Sequence, residues 1–222
     1  MIPDYVIPWR NRLFRCISRP AFRMVFHILS GVRITGRENI PRTSAYTIAA
    51  NHVSIYDPPL LVAFWPTPPE VLGAVEIWSR GGQSLLAYWY GGIPVHRGQY
   101  DRMSIETMLS ALNSGRPLLV FPEGGRSHQP GMRKALPGIA YLLEKADLQV
   151  IPVGITGTTE DFFTRAIHGQ RPNLEMHIGK PFKLPPITSK GPSRRCDRQQ
   201  NADGIMAHIA ALLPLEYRGV YG

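Results

Sequence analysis

The chain has 222 residues and a formal net charge of +9, with 44% hydrophobic and 18% charged residues. This composition excludes an intrinsically disordered chain, and the length suits one domain, or one domain with a small appendage. The two cysteines, Cys16 and Cys196, lie far apart and lack metal-ligand spacing. We therefore predict neither a disulfide framework nor a bound metal.

The positive charge is concentrated near the N-terminus, where residues 1–50 contain eight arginines against two acidic residues, Asp4 and Glu38. Such a segment suits an anionic surface, either nucleic acid or a phospholipid leaflet. Apolar residues recur between the arginines at helical spacing, which predicts amphipathic helices. They form two series, Trp9, Leu13 and Ile17, followed by Phe22, Val25, Phe26 and Leu29.

Pro20 separates the two apolar series, and two short helices are predicted to meet there because proline disfavours helix in the residue before it. Aromatic residues on one face and arginines on the other are typical of a helix lying in the membrane interface. The alternative is an amphipathic helix packed on the core. No apolar run reaches the roughly 18 residues that a membrane-spanning helix needs. We therefore assign residues 1–31 to a membrane-docking pair of helices and residues 32–222 to the main domain.

Downstream of residue 31, short apolar stretches alternate with helical patterns. The predicted strands are 32–35, 45–50, 71–75, 92–95, 117–121, 149–153 and 174–178. The predicted helices are 58–65, 83–90, 101–114, 138–146 and 203–213. Residues 185–200, rich in Pro, Ser, Lys and Arg, are predicted to form an exposed loop. This alternation favours a single-domain α/β fold with a mixed, mostly parallel sheet covered by helices.

A histidine and an aspartate follow the strand 45–50. His52 lies at the strand exit, and Asp57 precedes Pro58 at the start of the next predicted helix, where it would act as a cap. Five residues along one helix turn two side chains about 140° apart, so they meet only where a turn bends the chain. Asp57 would then orient His52 as the base half of a catalytic triad. The alternative is a structural histidine and a plain helix cap.

Further polar residues follow two other strands. Arg97 comes after strand 92–95, and Arg126 follows strand 117–121 and offers a planar fork for phosphate or carboxylate. Gly124 and Gly125 offer backbone N–H groups to an anion. The alternative interpretation of each cluster is a turn with a surface arginine. Because polar residues at several strand exits meet at one sheet edge, we expect these clusters to converge there.

The blocks NHVSIYD, GGIPVHR, FPEGGRS and VIPV occur in this order. They resemble the four motifs of the PlsC-like glycerolipid acyltransferase family, and the resemblance covers roughly residues 32–185. It implies a glycerol-3-phosphate acyltransferase-like fold. It also implies O-acyl transfer from acyl-CoA or acyl-carrier protein to 1-acyl-glycerol 3-phosphate, giving phosphatidate. The N-terminal basic segment also matches family members that dock on membranes through a helical pair.

The resemblance implies a role for each matching residue. His52 would deprotonate the acceptor hydroxyl, and Asp57 would orient His52 and stabilise its imidazolium. No cofactor is implied, because a thioester donor is already activated. The residues that would bind or adjoin the substrate are Arg97, Glu123, Gly124, Gly125, Arg126 and Pro152.

Two positions depart from the family pattern. Gly125 stands where a threonine is common, and Val75 stands where many lysophosphatidate enzymes carry a phosphate-binding lysine. Another lysophospholipid or a glycolipid therefore stays open as the acceptor. The alternative of another class is a non-catalytic membrane-binding or nucleic-acid-binding module, of which nucleic acid is disfavoured by the apolar faces of the arginine-rich helices. The expected partners are a lipid acceptor, a thioester donor and the cytoplasmic face of a membrane, bound peripherally.

Overall fold

Helices and strands alternate along residues 5–42, 45–97, 99 and 101–222, which a computed structural model describes. The strands are β1 Gly31–Thr35, β2 Thr47–Ala50, β3 Glu70–Ala74, β4 Ile93–Val95, β5 Leu118–Val120, β6 Val150–Thr156 and β7 Asn173–Ile178. The α-helices are α1 Trp9–Leu29, α2 Asp57–Phe64, α3 Gly81–Tyr90, α4 Arg102–Asn113, α5 Gly138–Ala146, α6 Phe162–Ile167, α7 Pro192–Ala210 and α8 Leu215–Arg218. Short 3₁₀ helices are Arg37–Asn39, Val75–Ser79 and Gly219–Tyr221. The predicted α/β fold is confirmed.

The described strands form one sheet in the order β1-β7-β6-β2-β5-β3-β4, in which β6 and β7 are antiparallel and the other neighbours are parallel. β2 lies between β6 and β5 near the middle. Because β2, β3, β4, β5 and β6 run in the same direction, their carboxyl ends lie along one edge of the sheet. The strand exits named above therefore share that edge.

Both faces of the sheet are covered by helices. Ile48 and Ala50 of β2 pack with α1, α2 and α6, through residues such as Phe26. Ala49 points to the other face and packs with α4, α5 and α7. A strand buried on both faces gains from apolar residues at every position, which is why β2 and β6 read as continuous apolar runs.

The N-terminal segment forms one helix, α1, rather than the two predicted helices. Pro20 lies inside α1 on its exposed side. Because proline has no N–H, the carbonyl one turn earlier lacks its helical hydrogen bond, but on this side of the helix that carbonyl faces water. Residues 1–4 of the predicted docking segment lie outside the described residues. The helix packs on α2 and α3.

The face of α1 that contacts the rest of the protein is polar. Asn11 and Arg15 donate hydrogen bonds of 2.8–3.0 Å to carbonyls in the last turn of α3. Arg19 and Arg23 donate in the same way to carbonyls in the last turn of α2. The last carbonyls of a helix lack intrahelical partners, so α1 satisfies the C-termini of two helices at once. The arginines at these positions therefore face neighbouring helices of the protein.

The outward face of α1 is apolar. Trp9, Leu13 and Ile17 are 75%, 52% and 61% exposed, and Met24 and Ile28 continue this row at 60% and 63%. We call these five residues the apolar row. Most of the second predicted series packs instead on the core or at its edge. No helix in the described ranges combines the length and apolar character needed to cross a bilayer.

Arg15 also belongs to a buried ion cluster centred on Glu70, the first residue of β3. Arg15 Nη1 and Nη2 lie 2.8 and 2.7 Å from the Glu70 carboxylate, Arg116 Nε lies 2.6 Å from it, and the Tyr5 hydroxyl 2.8 Å. Glu70 is fully buried. Burial alone would raise the pKa of the Glu70 carboxyl, but hydrogen bonds from Arg15, Arg116 and Tyr5 hold that pKa below its usual range.

Helix α7 begins at Pro192, so the predicted loop 185–200 is wrong over its second half. Arg198 Nε lies 2.8 Å from the Glu144 carboxylate of α5, and Arg194 also pairs with Glu144. Proline is tolerated in a first helical turn. The first turns of α7 are held by these ion pairs and not by an apolar stripe. The sequence of residues 192–200 therefore shows no helical periodicity of apolar residues.

Candidate active site

His52 and Asp57 meet across the turn between β2 and α2, which confirms the predicted contact. His52 Nδ1 lies 2.8 Å from Asp57 Oδ2, so Nε2 is the nitrogen left to take a proton. Asp57 is fully buried, whereas 15% of the His52 side chain is exposed. A buried carboxylate beside an imidazole stabilises the imidazolium that forms when the base is protonated. The geometry is that of a general base with its orienting carboxylate.

Asp57 is the first residue of α2, and within the described chain its side chain makes no capping hydrogen bond, contrary to the prediction. Its carboxylate accepts instead from the backbone N–H of Ser54 at 2.8 Å and from the hydroxyl of Thr158. Thr158 is fully buried just after β6. Sequence reasoning missed Thr158 because it ended this strand at residue 153, although the Thr-Gly-Thr turn at its true exit was a usable signal.

Two further residues fix the position of His52. The Phe121 ring stacks on the imidazole with centroids 4.1 Å apart and an interplanar angle of 22°. The Asn51 side chain bonds the backbone of Ile155 twice, accepting at 2.7 Å and donating at 2.9 Å. The Asn51 amide thus continues the hydrogen bonding between β2 and β6 beyond the end of β2 and fixes the exit of β2 to β6. Both residues lie at the start of a quoted motif block, but their role depends on tertiary contacts.

Glu123 lies beneath the site and is 3% exposed. One carboxylate oxygen accepts from the backbone N–H of His52 and the other from that of Arg133, both at 2.7 Å. Burial raises the pKa of the Glu123 carboxyl to about 7, and the charge of Asp57 adds to this rise, against the two backbone hydrogen bonds that lower it. Glu123 thus joins the His52 loop to the loop around Arg133.

The glycines after β5 give the neighbouring side chains room. Gly124 has φ 66°, and a Cβ there would lie 2.3 Å from a methyl carbon of Leu136, so this position favours glycine. A Cβ at Gly125 would lie 3.3 Å from Arg133 Nη1 and 3.4 Å from Arg97 Nη1. Two guanidinium groups therefore close on Gly125 and concentrate positive charge near His52.

Two cavities reach His52 from opposite faces of the sheet. Cavity 1, about 170 Å³, lies between α1, α2 and α3 and is lined mostly by apolar residues such as Phe22 and Trp78. Cavity 2, about 650 Å³, lies among α4, α5 and α7. The second volume falls within the about 300–1,000 Å³ of typical ligand pockets. His52 and Arg97 line both cavities, as do Leu72, Gly73 and Ile77, so the imidazole lies on the boundary between the two spaces.

The predicted convergence of strand exits is confirmed for β2, β4 and β5. Arg126 lines cavity 1, Gly124 and Gly125 line cavity 2, and Arg97 lines both. Pro152 is buried within β6 opposite Ala49 and lines neither cavity, so the structure does not bring it to the site. Val75 lines neither cavity as well.

The arrangement supplies a base and two approach routes. No serine or cysteine of the described chain hydrogen-bonds the His52 ring. This geometry suits a general base that acts on a hydroxyl brought by a substrate rather than on a nucleophile of the protein. A base that lines two cavities is the arrangement expected of a group-transfer enzyme.

The family description "Acyltransferase" matches residues 31–156, which is more than half of the chain. The protein therefore belongs to the acyltransferase family, and the resemblance of its four blocks is confirmed. The fold is similar to that of the 1-acyl-sn-glycerophosphate (LPA) acyltransferase PlsC from Thermotoga maritima, a crystal structure that superposes on this chain with a TM-score of 0.61 at 21% identity. The superposition covers 88% of this chain and 79% of that one.

Curated relatives name two acceptors. A 1-acyl-sn-glycerol-3-phosphate acyltransferase from Borreliella burgdorferi is 24% identical over 68% of this chain and 62% of its own length. A lyso-ornithine lipid O-acyltransferase from Pseudomonas aeruginosa is 32% identical over 68% of this chain and 56% of its own length. The chain thus spans about three fifths of these relatives.

Proposed function

We propose that the protein transfers a fatty acyl group from acyl-CoA or acyl-carrier protein to the hydroxyl of 1-acyl-glycerol 3-phosphate, giving phosphatidate. The observation that carries the proposal is the His52–Asp57 dyad at the meeting point of two cavities. A transferase needs a route for each of two substrates. The relative named 1-acyl-sn-glycerol-3-phosphate acyltransferase supports this acceptor.

In this reaction, His52 Nε2 takes the proton of the acceptor hydroxyl as its oxygen attacks the thioester carbonyl. The new C–O bond forms, the C–S bond breaks, and the thiolate leaves and receives the proton. Asp57 stabilises the imidazolium between these steps. The backbone N–H of Gly124 donates to the Phe121 carbonyl at 2.9 Å, so the N–H of Gly125 is the group in this turn that would hold the oxyanion. No acyl-enzyme and no cofactor are required, because the thioester is already activated.

The basic residues of the site would hold the acceptor's phosphate. Arg97 and Arg126 line cavity 1 together with His52 and present planar forks that suit phosphate. We assign Glu123 a positioning role, because both of its carboxylate oxygens are engaged by backbone N–H groups. We leave Pro152 without a direct role.

A second acceptor is favoured by one comparison. The *Pseudomonas* relative, at 32% identity, is named for a lyso-ornithine lipid. Val75, which stands at the position of a phosphate-binding lysine in many family members, supplies no charge. An acceptor with another head group is therefore the alternative, with the same dyad and the same bond changes.

We expect the protein to release thiol from acyl-CoA faster with lysophosphatidate as the acceptor than with a lyso-ornithine lipid or a monoacylglycerol. Arg126→Ala is expected to raise the KM for lysophosphatidate roughly tenfold, because a charged bidentate contact is lost, and to change the donor KM less. Arg37→Ala, at an exposed arginine that lines neither cavity, is the matched control. Faster reaction with another acceptor makes lysophosphatidate the wrong substrate, and no thiol release with any acceptor contradicts acyl transfer.

We also propose that the apolar row docks the protein peripherally on a phospholipid surface. The row adjoins α3, whose Leu85, Leu86 and Trp89 are 59%, 41% and 39% exposed. Exposed apolar patches of this kind mark interaction sites. Cavity 1 opens between the same two helices, so a lipid tail would have a short path to His52. The cytoplasmic face is the leaflet that the positive charge favours.

We expect the combined change Trp9→Ser, Leu13→Ser and Ile17→Ser to lower liposome binding at least tenfold. Fully burying such a side chain contributes about 1.5–3 kcal/mol, and the fold should survive because these side chains face outward. Removing all of α1 would not test docking, since its inner face satisfies two other helices. The control is Met103→Ser with Val220→Ser, at positions 80% and 68% exposed elsewhere. Unchanged co-sedimentation of the triple variant with liposomes would contradict the proposal.

A further inference from the structure

Two loops from distant parts of the chain hold the catalytic dyad in place. The turn after β6 presents Thr158, whose hydroxyl donates to the Asp57 carboxylate. The loop between β5 and α5 presents the backbone N–H of Arg133, which donates to Glu123 at 2.7 Å. Glu123 in turn accepts from the backbone N–H of His52 at 2.7 Å. Each member of the dyad therefore depends on one of the two loops for its position.

Tyr217, the third residue of α8, contacts both of these loops. Its hydroxyl accepts from the backbone N–H of Gly157 at 3.0 Å, one residue before Thr158. Its backbone carbonyl accepts from the N–H of Met132 at 3.1 Å, one residue before Arg133. Tyr217 is 9% exposed and lines neither cavity, so it does not touch a substrate that occupies them.

The segment that follows Tyr217 anchors it to the loop between β5 and α5. Gly219 has φ 54°, and a Cβ there would lie 2.2 Å from the carbonyl oxygen and 2.4 Å from the nitrogen of Met132. The two backbones are thus in direct contact. The Tyr221 hydroxyl accepts from the backbone N–H of Ala135 at 2.9 Å. From this base, the Tyr217 ring extends to the turn after β6.

We propose that Tyr217 is a positioning residue for the catalytic dyad, acting through Thr158 on the Asp57 carboxylate. The inference rests on the proposed acyl transfer, in which this carboxylate stabilises the imidazolium of His52. The carboxylate contacts the His52 ring, the backbone N–H of Ser54 and the Thr158 hydroxyl. His52 and Ser54 are near neighbours of Asp57 in the sequence, whereas Thr158 connects the carboxylate to a distant strand.

The turn that carries Thr158 has little room to adjust. Gly157 has φ 84°, and a Cβ there would lie 2.0 Å from the carbonyl oxygen of Asn173, the first residue of β7. The hydrogen bond to Tyr217 fixes the same peptide unit. Without the tyrosine hydroxyl, the Gly157 N–H loses this acceptor, and the peptide can shift to find another. Misplacing a catalytic group by about 1 Å can cost about 10²-fold in rate.

Tyr217→Phe removes the hydroxyl and keeps the buried ring. We expect kcat to fall roughly tenfold while the KM of each substrate stays within about twofold of wild type, because Tyr217 lines neither cavity. Thiol release at saturating donor and acceptor gives kcat, and the dependence of the rate on each substrate gives its KM. An unchanged kcat in the folded variant overturns the proposal, as does a raised KM with normal kcat.

Tyr46→Phe is the matched control for lost stability. Tyr46 is 3% exposed, and its hydroxyl accepts from the indole N–H of Trp65 at 3.0 Å. It lies directly before β2, at the opposite end of that strand from His52, and lines neither cavity. Both variants remove a buried hydroxyl that accepts from an N–H, so both should lower the midpoint of thermal unfolding. Equal losses of kcat in the two variants would make lost stability the cause and overturn the proposal.

A double-mutant cycle tests the route through Thr158. Thr158→Val removes the hydroxyl that donates to Asp57 and nearly preserves the shape of the side chain. If Tyr217 acts through this hydroxyl, the kcat of the double variant should equal that of Thr158→Val within about twofold. Losses that multiply in the double variant would show that Tyr217 acts by another route and would overturn the proposal.

A spectroscopic measurement without substrates keeps this inference separate from acyl transfer. Tyr217→Phe and Thr158→Val should each shift the low-field ¹H resonance of the His52 Nδ1–H group, and Tyr46→Phe should leave it unmoved. An unmoved resonance in Tyr217→Phe overturns the positioning role, even where the wild type turns over. A shifted resonance in a protein whose wild type releases no thiol supports the positioning role and contradicts acyl transfer alone.

Discussion

His52→Ala is expected to lower kcat by about 10²–10⁴-fold, which is the usual contribution of a positioned general base. The acceptor hydroxyl then has no group at hydrogen-bond distance to take its proton as the C–O bond forms. Because the side chain is partly exposed and stacks on Phe121 at the surface of the cavities, the fold should persist. Thiol release measured with saturating acceptor gives kcat, and circular dichroism with thermal unfolding checks the fold.

Asp57→Asn is the companion variant for this prediction. The amide keeps the volume of the carboxyl and can still accept from Ser54, but it carries no charge to stabilise the imidazolium. A folded His52→Ala protein with activity within a few-fold of wild type would show that His52 is structural. Normal kcat in Asp57→Asn, with His52→Ala inactive, would leave His52 as a base that needs no partner.

Glu70→Gln is expected to lower the free energy of unfolding by about 3–5 kcal/mol. Removing one partner of a buried ion pair leaves the other charge without compensation, and here Arg15 is only 3% exposed. The loss should appear as a lower midpoint in urea with an unchanged slope. Arg116→Met is the matched control, because Arg116 contacts the same carboxylate but is 30% exposed. Its effect should be clearly smaller, and equal losses would contradict the buried pair as the cause.

The same cluster gives an acid dependence with a defined sign. The folded-state pKa of Glu70 is lowered, so the folded protein binds its proton less readily than the unfolded chain. Its contribution to stability is present above the ordinary glutamate pKa of about 4.3 and is lost as the pH falls through the lower folded pKa. The difference in unfolding free energy between wild type and Glu70→Gln should therefore shrink as the pH is lowered below 4.3. A constant difference down to pH 2 would contradict this origin.

The central strands β2 and β5 could be predicted because they are buried on both faces and bounded by polar or glycine-containing turns. The His52–Asp57 contact could also be predicted, because both residues lie on one short segment and only a turn brings them together. The orientation of α1 could not be predicted in the same way. Helical periodicity shows that one face of α1 is apolar and the other polar. It does not show which face is buried, because the inner face donates hydrogen bonds to backbone carbonyls, which any sequence supplies.

The rest of the site depends on contacts between distant segments. Thr158 reaches Asp57 across 101 residues of sequence, and Glu123 reaches the backbone of His52 across 71. A carboxylate that will accept two buried N–H groups looks the same in the sequence as one that will meet a ligand. Glu123 therefore matched the motif, while its contacts could be seen only after the loops around it were placed.

The polar inner face of α1 has a mechanical consequence. Arg19 and Arg23 hold the last turn of α2, and Asp57 is the first residue of that same helix. Helix α2 has 8 residues and is thus about 12 Å long at 1.5 Å per residue. It is a short, rigid connection between α1 and the Asp57 carboxylate. If α1 rests on a bilayer, its depth there also sets the height of the reacting hydroxyl above the lipid. Lengthening α2 by one turn would then change the distance between the base and the bilayer without altering any residue that touches substrate.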